Sequence, residues 1–154
     1  MRKLFALLLM LSALIVATAE HPVMAQSQLD KDAAFELASE FAQCAGLFDA
    51  LSGLMKRAGK ADAAKSLRET GNGAATASAM SGTLGTTPEK AWEMSNNMRD
   101  VFGSRWKAIV LNEGVSGEEV KQRMALCVEL NPLQTQLIQD ARKQAYGFRD
   151  RSEQ

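Results

Sequence analysis

The sequence predicts an all-α protein, a compact bundle of four or five helices closed by one disulfide. Three observations carry this. Apolar residues recur three or four apart along almost the whole chain, and no stretch alternates in the manner of a strand. Gly and Pro punctuate the pattern at short intervals, without an internal repeat. Two cysteines fall on different apolar stripes.

Ahead of the bundle stands an export signal. Arg2 and Lys3 precede an apolar run from Leu4 to Ala19, and small residues follow at a cleavage point. The run is shorter than the roughly 20 residues that a spanning helix needs. Two cuts are compatible with small residues at −3 and −1, after Ala19 or after Ala25. The second is favoured because Pro22 helps end the apolar helix and Gln26, Ser27 and Gln28 make a polar start. Residues 1–25 are therefore expected to be a secretory signal peptide and 26–154 a single α-helical domain, periplasmic or secreted.

Removing the first 25 of 154 residues leaves 129, enough for one modest core. The full chain has 18 basic and 18 acidic residues, and the signal takes Arg2, Lys3 and Glu20 with it. A nearly neutral domain offers no field for nucleic acid or for an anionic membrane surface. Lys56, Arg57 and Lys60, the densest basic group, stand where a helix C-terminus favours cations.

Each helix has its own signals. The first is expected from Asp32 to Ala58, with Ala34, Leu37, Phe41, Cys44, Phe48, Leu51 and Met55 on one stripe and Gly59 as the stop. The second is expected from Ala61 to Met80. Its end, within a Gly, Ala, Ser and Thr stretch from 71 to 85, reads equally as a close-packing helix with Gly71, Ala75 and Ala79 inward or as a mobile loop. The third opens with Thr87 as cap and Pro88 at the first position, and closes near Gly114. Its face carries Trp92, Ser95, Arg99, Phe102, Trp106 and Ile109. A capping-box pattern, Ser116 and Glu119, opens the fourth, which buries Val120, Met124, Cys127 and Leu130. Asn131 and Pro132 repeat the cap-then-proline signal, so a fifth helix is expected there, ending around Gly147.

Cys44 and Cys127 are 83 positions apart. In an oxidising compartment an even count with no metal or redox spacing reads as a structural disulfide. A bridge over so long a loop restricts the unfolded chain by on the order of 4 kcal/mol in the chain-entropy model.

The one histidine, His21, lies within the expected signal. A mature chain without histidine lacks the base of a Ser-His-Asp or Cys-His arrangement and the ligands of His-based zinc or di-iron sites. No catalytic, metal or cofactor residue is assigned. Glu36 with Glu40, and Glu118, Glu119 and Asp140, read as a solvated face, and Met94 and Met98 as packing rather than a Cu(I) pair.

Trp92, Arg99, Phe102 and Trp106 bring to one helix the residue types enriched at protein interfaces. They form the candidate interaction surface. The function expected is a binding or interaction module for a protein or a small apolar ligand. The alternatives are a hydrolase-type enzyme using carboxylates only and a soft-metal binding protein.

Overall fold

A computed structural model describes the backbone of residues 21–152 and the side chains of residues 30–143. The described residues form four α-helices: α1 (His21–Arg57), α2 (Ala61–Gly82), α3 (Pro88–Glu113) and α4 (Glu118–Ser152). The first 20 residues of the expected signal segment lie outside the described part, and the favoured cut after Ala25 falls within α1. No described helix is long and apolar enough to cross a membrane.

Three boundaries differ from the sequence expectation. α1 spans His21–Arg57, so helix is already present N-terminal to the expected Asp32 start, and it takes in Pro22. α2 runs unbroken to Gly82, so the small-residue stretch is helix as far as that residue. The expected fourth and fifth helices are one, with Pro132 inside α4. Pro132 deprives the Val128 carbonyl of its helical donor, but both residues are exposed and water reaches that side of the helix.

α1, α2 and α3 pack through small residues. Every buried residue of α2 is Gly, Ala or Ser. That slim face lets serine hydroxyls reach across to neighbouring backbones. Ser52 donates to the Ala64 carbonyl at 2.7 Å, Ser78 to Ala38 at 2.7 Å and Ser95 to Ala75 at 3.0 Å. The first two run α1 and α2 antiparallel, and the third, with Gly82 against Ala91, returns α3 antiparallel to α2. α1 and α3 come close at Gly46 and Gly103. A Cβ on Gly46 would stand 2.6 Å from the Gly103 nitrogen and 2.9 Å from the Phe102 carbonyl carbon.

The large core side chains come from elsewhere. Phe41, Leu47, Phe48 and Leu51 of α1 fill the centre, and Leu47 and Leu51 pack with Trp106 and Val110 of α3 and Val120 of α4. Cys44 and Cys127 are joined across the other half of the core, beside Phe48, Ala74 and Ala75, with a Cα–Cα distance of 5.6 Å. α4 crosses this body instead of lying along one helix. As it runs from Arg123 through Cys127 to Gln134, its contacts pass from Glu40 and Cys44 of α1 to Gly73 of α2.

Candidate interaction surface

The four residues singled out from sequence do not share one surface. Trp106 is buried, 3% exposed, because its place on α3 faces Leu47, Leu51 and Val120. Phe102 is half-buried against the same cluster. Arg99 is held within the bundle: its Nε and Nη2 donate to the Asp49 carboxylate at 2.6 and 2.8 Å, and Nη2 also donates to Asn72 Oδ1 at 3.0 Å. The hydrogen bond to Asp49, opposed by burial, holds the Arg99 guanidinium above its ordinary value. It is thus a charged tie between three helices. Trp92 alone of the four presents a large exposed face, 45% of its area.

The candidate carboxylates are dispersed. Glu40 is bound by Arg123, Glu119 accepts from Arg105 at 2.9 Å, Glu118 accepts from Gln122 at 3.1 Å, and Asp140 stands 3.5 Å from Lys143. Glu36 is exposed. Among the described residues no group of three His, Cys, Asp or Glu side chains stands close enough to hold a metal ion. Met94 packs its methyl group against Gly82, and Met98 is half-buried.

A small polar cleft of about 270 Å³ lies where α1, α3 and α4 meet, lined by Gln43, Arg105, Glu119 and Arg123 among others. Trp106 also lines it, yet its indole Nε1 is sealed from solvent and has no hydrogen-bond partner. The cleft's two guanidiniums are already engaged by Glu119 and Glu40.

The sequence reading missed the largest exposed apolar side chains at the end of the bundle where α1 passes the α2–α3 turn. Phe35 is 51% exposed and Leu84 is 73% exposed. Leu84 projects from a turn built by Thr83 and Gly85, whose N–H groups return to Ala79, Met80 and Gly82 carbonyls. α3 then starts at once on Thr87, whose hydroxyl accepts from the Lys90 N–H at 3.4 Å. Two shallow depressions flank α1 there. One, about 600 Å³, is lined by Ala33, Ala34, Leu37 and Leu84, with Asp30 and Lys31 at its rim. The other, about 290 Å³, is lined by Phe35, Gly82, Gly85 and Met94, with Lys31 and Asp32 at its rim.

A detectable signal did exist. Phe35 stands beside Ala34 but off the stripe that Ala34, Leu37 and Phe41 define, and Leu84 is a large apolar residue between two turn glycines. Neither position has a helical reason to be apolar. Trp92 lines neither depression.

Comparisons with protein-family models, curated proteins and solved structures returned no match to the chain. The class that the fold defines is an all-α bundle with one interhelical disulfide.

Proposed function

We propose that this chain is exported by a cleavable signal peptide and acts as a binding module, engaging apolar side chains of a partner protein through Phe35, Leu84 and the two depressions beside them. The carrying observation is the exposure of two large apolar side chains, 51% and 73%, at one end of the bundle, with a charged rim of Asp30, Lys31 and Asp32. An apolar centre with a polar rim is the anatomy of a protein interface. Shallow depressions open to solvent suit protruding side chains better than a small ligand, which needs a cleft that buries most of its surface. Export is supported by the order of basic, apolar and small residues before Ala25 and is compatible with the pairing of Cys44 with Cys127, since disulfides form most readily in oxidising compartments.

The test is crosslinking in intact cells with a photoreactive residue at position 35 or 84, and at exposed Ser104 as control. The reading expects one partner adduct from 35 and 84 that the control lacks. Equal labelling from all three positions, or none from any, contradicts it. A lipid-sized adduct from position 84 without a protein adduct would favour a small apolar ligand. Mass spectrometry of the purified chain tests export separately, with a first residue of Gln26 expected and a reduced chain beginning at Met1 opposing it.

A further inference from the structure

The disulfide is placed unusually for a structural staple. The interhelical serine bonds from Ser52, Ser78 and Ser95 and the backbone approach of Gly46 to Gly103 all lie among α1, α2 and α3, and none involves α4. The tie from Arg99 to Asp49 and Asn72 is likewise internal to those three helices. α4 has the slightest contact with the body. Among its described side chains only Val120 and Cys127 are buried. Met124 and Leu130 pack partly against the core, and two ion pairs join α4 to the body, an exposed one between Arg105 and Glu119 and a part-buried one between Arg123 and Glu40. The exposed pair is worth about 0–1 kcal/mol. The connection into α4 is a short turn bounded by Gly114, at φ 71°, and Gly117.

We propose that the Cys44–Cys127 bond is a redox latch: oxidised, it fastens α4 over the apolar groove formed by Cys44, Phe48, Ala74 and Ala75; reduced, it lets α4 swing away on the 114–117 turn while α1, α2 and α3 stay packed. The occupant of the groove is therefore α4 of this same chain, and reduction uncovers the groove. The reductant is a dithiol. Both cysteines are buried, so the attack follows a local opening of α4: one thiolate attacks Sγ of Cys127, and the Cys44 thiolate leaves. The second thiolate of the reductant then displaces Cys127, giving two cysteine thiols and the cyclic disulfide of the reductant. Two electrons and two protons pass to the protein.

Hydrogen exchange with mass spectrometry tests this on the complete mature chain, compared before and after dithiothreitol and with the Cys44→Ser/Cys127→Ser variant. The latch predicts that, once the bond is gone, amides of residues 118–143 exchange on the order of 100-fold faster than those of α1 to α3, which open only when the whole body unfolds. Unchanged protection in α4 overturns it, because packing alone would then hold the helix. Simultaneous loss of protection in all four helices also overturns it, since the bond would be a staple of the whole fold. Failure of dithiothreitol to open the bond in the folded protein, whatever the variant does, overturns its reducibility.

Discussion

α2 and α4 solve the same problem in opposite ways. α2 has no large buried side chain, yet it is gripped on both flanks by serine-to-carbonyl bonds and by close backbone approach. α4 brings large apolar residues, Val120, Met124 and Leu130, but covers the body at few points and is fastened by a covalent bond. A helix made of small residues gains many weak van der Waals contacts by coming close. One that crosses at a distance has to be held by a few strong attachments. In this bundle, attachment therefore follows how closely the backbones approach more than the size of the side chains.

The largest expected effect comes from removing the attachment of α4. Replacing both cysteines by serine should lower unfolding stability by about 4 kcal/mol, from the entropy of an 83-residue loop. Urea unfolding of the oxidised protein and the double variant measures it. A loss below about 1 kcal/mol would put α4 in the same class as α2.

Next is the crossing of α1 and α3. Gly46→Val places its Cβ against backbone that has no side chain to move aside, so the helices must separate, at a cost of roughly 3 kcal/mol. Gly53→Val, at a site with open space around it, serves as the comparison and should cost only helix propensity, about 0.5 kcal/mol or less against Gly53→Ala. Similar melting points for the valine variants at 46 and 53 would break the close-approach account.

A smaller loss, about 1 kcal/mol, is expected for Ser95→Ala, which removes a hydroxyl bonded to the Ala75 carbonyl, a carbonyl that lies within α2. Thr70→Ala, whose hydroxyl returns to Ser66 on an exposed turn, should change stability by less than about 0.5 kcal/mol. The smallest effect on stability, and the largest on binding, belongs to Leu84→Gln. Its exposed side chain leaves stability within about 0.5 kcal/mol. Partner capture in the crosslinking experiment should disappear.

Much of this fold is written in the chain. The stripe of Ala34, Phe41, Cys44, Phe48 and Leu51, the Thr87-Pro88 start and the facing of Cys44 toward Cys127 are all local or compositional signals, and the structure follows them. Pro132 was misleading because a proline signal is ambiguous between starting a helix and being tolerated in one. What resolves it is whether water reaches the carbonyl four residues back, which is a tertiary fact. The stretch from Gly71 to Gly82 was equally ambiguous, since small residues cost helix propensity but repay it only when a neighbour comes close. Gly71 against Phe48 and Gly82 against Ala91 supply those neighbours.

The candidate surface was less legible. An aromatic on a helix stripe does not announce which end of the stripe is covered, and here Trp106 is covered while Trp92 is not. Arg99 looked like an interface residue because its partners, Asp49 and Asn72, are 50 and 27 positions away. Phe35 and Leu84 lie outside any stripe and gain meaning only when the α2–α3 turn is set beside α1.

The division between a self-sufficient three-helix body and a latched α4 is tested most directly by one cycle of stability measurements. Val120→Ala on α4 and Ser95→Ala in the body are each measured in the oxidised and in the reduced protein. Oxidised, Val120→Ala should cost about 2 kcal/mol for its lost burial and Ser95→Ala about 1 kcal/mol. Reduced, the cost of Val120→Ala should fall below about 0.5 kcal/mol, because α4 is already away, while that of Ser95→Ala stays unchanged. Equal costs for Val120→Ala in both states would contradict the account.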